Sequence, residues 1–186
     1  MRRISLILTS VACLLLSACV SAPAPKYQPG IDNSSLLLQQ RLKMDVGTFT
    51  AAQDVENRSL GLRGSQLKGG SDGTYATYLR EALVTELETA QGFVPGSDLQ
   101  LEGQLTANEL NASIKEGTAK VGARFVLKRQ GQVVYDKALV AEHGWESSFV
   151  GAIAIPAAMD NYGTTVQKLI GKLLADPEFI AATRGA

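Results

Sequence analysis

The chain of 186 residues is poor in the residue types on which site chemistry is usually built. It has one histidine, so His143 and the nearby Glu146 have no second imidazole with which to complete a metal set. It has one tryptophan, and only two cysteines, Cys13 and Cys19, both in the N-terminal stretch. Eighteen basic and eighteen acidic residues cancel, and a near-neutral chain has no long-range field to draw in nucleic acid or acidic lipid. No apolar run approaches the roughly 20 residues that cross a bilayer. Gly64, Gly69, Gly70 and Gly73 are not followed by the Gly-Lys-Ser/Thr of a phosphate-cradling loop, and Ser147 and Ser148 lack a Gly-x-Ser-x-Gly elbow. These absences lead us to expect no catalytic residues, no metal, no cofactor and no nucleic-acid partner. A Ser/His/Asp triad needs only spatial closeness, but nothing in the chain points to one.

What is present begins at the N-terminus. Met1-Arg2-Arg3 precedes an apolar run from Ile4 to Leu16, and the run ends in Leu16-Ser17-Ala18-Cys19. A short charged region, a short apolar region and small residues form a secretory signal. The last four residues resemble the bacterial lipobox. That resemblance implies a diacylglycerol on the Cys19 thiol, cleavage after residue 18 and acylation of the freed amine. The alternative is an ordinary secretory signal cut after Ala18, with an incidental thiol. On the lipobox reading Cys13 leaves with the signal and Cys19 is a blocked thioether, so no intramolecular disulfide is available. Stability must come from the core.

Composition permits one: 45% of residues are hydrophobic and 19% charged, which is globular rather than disordered. Losing Arg2 and Arg3 leaves a slight acidic excess. We read 1–18 as signal peptide, 19–35 as acylated cysteine plus flexible tether, and 36–186 as a single globular domain. Pro23, Pro25 and Pro29 favour an extended tether, which could reach on the order of 50 Å at ~3.1 Å per residue. Val20, not Asp, follows Cys19. By resemblance to Gram-negative lipoproteins, where Asp there retains the protein in the inner membrane, this favours the outer membrane.

Periodicity predicts the elements. Leu42, Met44, Val46 and Thr48 alternate as in a half-buried strand. The following stretch to Gly73 reads as a long loop, with at most a short strand at 60–62. Tyr75, Leu79, Ala82, Leu83, Leu87 and Ala90 form one helical stripe, capped by Ser71, Asp72 or Thr74 and ended by Gly92. Glu81, Glu86 and Glu88 fall off the stripe and read as a solvated face. Strands follow at 98–106 and 120–128. A tight turn at 129–132 then leads to a returning strand, 133–142, apolar on both faces; a central position or a bulge would explain that. A last helix opens at Ile155-Pro156, carries Met159, Tyr162, Val166, Leu169, Ile170 and Leu173 on one face, and stops at Asp176-Pro177. The order β-α-β-β-β-α predicts an α+β two-layer sandwich: a mainly antiparallel sheet of about four strands, with two amphipathic helices on one face.

The connection 143–155 is unusual, because it joins the only Trp and His to an apolar run where a polar connection is the norm. Trp145 and Phe149 either cap the core or belong to an exposed contact surface. We favour the core for Trp145, which follows the strand at once, and contact for Phe149 and Val150. The candidate partner-contact set is Trp145, Phe149, Val150 and Ile153, and Cys19 is the lipid-attachment residue.

The lipobox, the short tether, the helix Tyr78-Leu79-Arg80-Glu81-Ala82-Leu83-Val84-Thr85-Glu86-Leu87 and the three-strand-plus-helix tail resemble small proteobacterial envelope lipoproteins. Among these, the pattern resembles the YajG-type lipoproteins and the ABC-type transport auxiliary lipoproteins of the PqiC type, and it is similar in general layout to the lipopolysaccharide-assembly lipoprotein. The resemblance covers most of residues 40–175 as a pattern, and only Leu16 to Cys19 is a specific motif. It brings no catalytic residues. It implies an outer-membrane-anchored, periplasm-facing accessory subunit of an envelope transport or assembly complex, with a protein partner. The alternative is a stand-alone module that binds a lipid or amphiphile between helices and sheet.

Overall fold

The computed structural model of the chain describes residues 21–184; the signal peptide and Cys19 lie outside the described residues. In chain order the elements are β1 Ser21–Pro23, α1 Ile31–Gln40, β2 Asp45–Ala51, β3 Ser59–Leu62, β4 Ser65–Lys68, α2 Tyr75–Thr89, β5 Leu99–Ala112, β6 Glu116–Arg129, β7 Gln132–Glu146, α3 Gly151–Leu174 and α4 Pro177–Arg184. The alternating leucines and valines of β5 and β6 produce strands whose inward side chains are buried and whose outward ones are polar. β5 pairs antiparallel with β6 and β6 with β7, while β2 joins the edge of β5 in parallel, giving the order β2-β5-β6-β7. A parallel pair requires a crossover, and α2 supplies it. The predicted β-α-β-β-β-α core is therefore present as β2-α2-β5-β6-β7-α3, an α+β sandwich.

Both helical stripes face this sheet. Leu79, Leu83 and Leu87 of α2, Tyr162, Val166, Leu169 and Leu173 of α3, and Leu101, Val121, Phe125 and Leu127 of the strands belong to one buried cluster. Thr74 caps α2 by accepting from the Thr77 N–H. At 130–131 both residues have positive φ, as a two-residue hairpin turn demands.

Several expectations need correction. The register of β2 shifts between Val46 and Phe49, so Phe49 takes the buried position and Thr48 is exposed. The long loop holds a hairpin, β3-β4, turned at Arg63-Gly64, where both φ values are positive. β7 is an edge strand, not a central one. Its register slips between Leu127 and Lys128 of the partner, a bulge at Val134 that turns Val133 to the outer face. The bulge does not account for Val134, Ala138 and Val140, which are exposed on that outer face in regular alternation with the inward Tyr135, Leu139 and Ala141. α3 begins at Gly151, so Pro156 lies inside it rather than at its start. Asp176-Pro177 both ends α3 and starts α4, with the Asp176 carboxylate accepting from the N–H groups of Glu178 and Phe179.

The largest correction concerns the tether. From Ser21 onward the segment is docked, not free. β1 pairs parallel with β4, Tyr27 is buried, and α1 packs outside the α2–α3 pair. Proline-rich composition describes a chain without partners, and here the partners are distant in sequence. Gln40 Nε2 donates to the Leu174 carbonyl at 2.8 Å, and Gln167 Nε2 donates to that of Gln28 at 2.7 Å.

Candidate functional site

The connection between the last strand and the last helix is short. β7 ends at Glu146 and α3 begins at Gly151, leaving residues 147–150 between them. No residue from 147 to 159 is charged. The inner side of the first turns of α3 consists of Ala154 and Ala158, which are buried; small residues there bring the helix close to the sheet. The outer side is apolar too. Phe149 is 77% exposed, Ile153 60% and Val150 about half, and Ile114 of the β5–β6 turn is also exposed.

One side chain ties this lip together. Arg63, at the tip of the small hairpin, donates from Nε to the Ala112 carbonyl (2.6 Å), from Nη1 to that of Phe149 (3.1 Å), and from Nη2 to that of Ser113 (2.8 Å) and to Ser147 Oγ (3.3 Å). The planar fork of donors matches such a set of acceptors, which an ammonium cannot span. The Ser147 N–H donates to the Lys115 carbonyl, joining the same two loops. Sequence reasoning missed Arg63, because its partners lie 49 to 86 residues away. Arg63→Ala is expected to cost about 1–3 kcal/mol, the scale of lost charge-assisted bonds at partly exposed carbonyls. Amide exchange at residues 147–151 should quicken, and Arg63→Lys should not restore it. Unchanged exchange in the alanine variant would mean the lip holds itself.

Of the four candidate contact residues, three form the lip and one does not. Trp145 lies over Gly117, its pairing partner on β6. A Cβ on Gly117 would come within 2.1 Å of the indole, so only glycine admits the ring. Trp145 is half-buried against a small cluster of Leu62, Ala112 and Ala158, so its ring packs on the core, the placement favoured for it from the sequence. His143, two residues earlier, is held through both ring nitrogens, by Asn161 Oδ1 at 2.8 Å and Lys168 Nζ at 2.7 Å. An Nε2–H tautomer donating to Asn161 and accepting from Lys168 satisfies both.

A second cluster lies under the docked N-terminal segment. Glu86, expected in a solvated face, is completely buried. Its Oε1 accepts from Tyr27 Oη (2.6 Å), the Gly30 N–H (2.9 Å) and Asn33 Nδ2 (2.9 Å), while Oε2 has no partner among the described residues. No Lys, Arg or His pairs with it among the described residues. Burial, and then the hydrogen bond to Glu86 and its charge, push the Tyr27 phenol far above its ordinary value. The arrangement is a carboxylate clasp on the chain's own N-terminal segment. Beside it a surface groove of about 500 Å³ runs between residues 23–27 and α2, lined by Pro25, Tyr27, Tyr78 and Val84.

No family model and no curated protein matches the sequence. Among solved structures, the chain is similar to a Xanthomonas campestris protein of the DUF330 family. They share 17% identity over 72% of this chain and 84% of that one, with a TM-score of 0.50. It is also similar to a candidate lipoprotein of Caulobacter crescentus (16% identity, 83% of this chain and 98% of that one, TM-score 0.47). A third neighbour is a hypothetical protein of Chlamydia trachomatis (5% identity, 72% and 98%, TM-score 0.43). At such identity the first likeness shows the fold alone, and it agrees with the α+β sandwich described above.

Proposed function

We propose that the chain is a lipoprotein acylated at Cys19, anchored in the outer membrane and facing the periplasm. There it serves as a non-enzymatic accessory subunit of an envelope transport or assembly complex. The lipobox-like Leu16-Ser17-Ala18-Cys19 supports the anchor, and Val20 supports the outer membrane.

The observation that carries the accessory role is a filled interior beside a bare sheet face. The space between helices and sheet, where a stand-alone lipid binder would hold its ligand, is occupied by Tyr75, Tyr162, Phe125, Leu83 and Leu169, all buried. The helices cover one face of the sheet. The other carries Val133, Ala138 and Val140 among cross-strand ion pairs, Lys128–Glu102 at 2.7 Å and Lys120–Glu142 at 3.4 Å, with Arg124–Asp136 between them. Surface pairs of this kind, exposed or half-buried, contribute about 0–1 kcal/mol to stability, so their value lies in patterning a surface. An exposed apolar strip interleaved with charged pairs is suited to docking a protein.

Photocrosslinkers placed at Val133 and Val140 in intact envelopes test this. A discrete protein adduct common to both positions is expected. Absence of any adduct, with a lipid co-purifying on the described domain instead, would overturn the reading in favour of a lipid binder.

A further inference from the structure

We propose that the lip of Ile114, Phe149, Val150 and Ile153 is a membrane-contact surface that enters the headgroup–acyl boundary of the leaflet holding the Cys19 lipid. This rests on the reading of Cys19 as acylated. The argument is one of position. β1 runs parallel to β4, with Ser21 opposite Gln66 and Pro23 opposite Lys68. β4 leaves the hairpin turn at Ser65, so β1 leads away from the Arg63-Gly64 tip, and read backwards it leads toward that tip. Cys19 precedes Ser21 by two residues, a reach of no more than about 7 Å. The tip is where the Arg63 guanidinium holds the carbonyls of Ser113 and Phe149, each beside or within the lip. Strand spacing and chain length put Ser21 within on the order of 20 Å of the lip, at the hairpin-tip end, and the lipid's attachment point lies no more than two residues of chain beyond it.

Chemistry agrees with position. The lip has no charge of its own from 147 to 159, and the residues bordering it (Ser113, Lys115, Glu116, Glu146) are polar. An apolar tip with a polar border suits a surface that lies in the interface without spanning it. Had residues 21–35 been a loose tether, the domain would stand clear of the bilayer and the lip would be free for a protein. The strand pairing of β1 and the clasp on Tyr27, Gly30 and Asn33 remove that slack. Acyl chains on Cys19 and the lip side chains then act as two anchoring signals on one body.

The test uses the full-length protein, extracted in mild detergent and reconstituted into phosphatidylethanolamine–phosphatidylglycerol vesicles, with and without nitroxide-labelled acyl chains. Phe149→Cys, Ile153→Cys and Leu38→Cys each receive a polarity-sensitive thiol fluorophore. Leu38 is the control, because it is as exposed as Ile153 at 59%. It sits on α1, which Gln40 fixes to the Leu174 end of α3, roughly 30 Å along that helix from Ile153. Labels at 149 and 153 are expected to shift to the blue and to be quenched by the nitroxide lipids, and the label at 38 to do neither. Wild-type protein should take up no label, its sole mature cysteine being a thioether. If wild type is labelled, the Cys19 reading fails and this inference falls with it. If wild type is blocked but labels at 149 and 153 report water, the anchor stands and the membrane-contact assignment is wrong. Labels that report water in vesicles but are shielded in intact envelopes would give the lip to a protein partner and likewise overturn the proposal.

Discussion

Leu169→Ala is expected to lower the stability of the domain by ~2–5 kcal/mol, the range for truncating a buried leucine where the surroundings collapse only in part. Leu169 lies in the middle of α3, is completely buried, and belongs to the cluster that joins both helical stripes to the sheet. α3 meets β5, β6 and β7, so a void beneath it loosens contacts to three strands at once. Against a typical 5–15 kcal/mol, such a loss takes a large share of the total. Urea unfolding should show a lower midpoint with an unchanged slope, because the surface exposed on unfolding is nearly the same. Met159→Ala, at the half-buried start of the same stripe, should cost less. A loss below about 0.5 kcal/mol for Leu169→Ala, the usual limit for surface positions, would mean the stripe does not carry the core.

The elements legible in the sequence are those whose burial is periodic and whose partners are long. The stripes on α2 and α3 repeat over at least four turns, and β5 and β6 alternate over many residues, so each face declares itself without knowledge of its neighbour. What was not legible depends on contacts between remote residues. β3 and β4 have four residues each, too few to show a period, and they become strands only by pairing with each other and with β1. Phe49 is buried because β2 slips by a residue against β5, a fact about register and not about composition. In the lip, Phe149, Val150 and Ile153 stood out by residue type, since apolar side chains in a connection are unusual. Arg63, which holds them, did not, because an arginine in a glycine-rich loop is ordinary. Asp176-Pro177 reads as a stop signal, yet the same pair is an N-cap followed by Pro at the first helical position, and this double meaning hides α4 in the sequence.

Glu86→Ala should have the second large effect, and it bears on where the folded domain begins. Among the described residues, the substitution removes the only acceptor of Tyr27 Oη and of the Gly30 N–H, and one of two for Asn33 Nδ2, whose other is the Gln167 carbonyl. Leaving a buried donor unsatisfied costs about 1–3 kcal/mol, so the expected loss is about 3 kcal/mol or more. That loss can be relieved by undocking, since all three donors belong to the segment before Leu36 and water can reach them once it lifts. The variant should therefore show two signs together: a lower denaturation midpoint, and tryptic cleavage after Lys26 and Arg41 at low protease, where the wild type resists. Glu86→Gln separates charge from shape. It keeps an oxygen facing the same donors and places an amide where Oε2 now lacks a partner, so docking should largely survive, with a smaller loss than in the alanine variant. If Glu86→Ala leaves both the midpoint and the cleavage pattern unchanged, the clasp does not hold the segment, and α1 stays in place by its packing on α2 and α3 alone. If the segment does release, residues 23–40 revert to the extended chain that their prolines describe. The domain then gains back the reach that docking took from it, and the lip is free to stand away from the anchor.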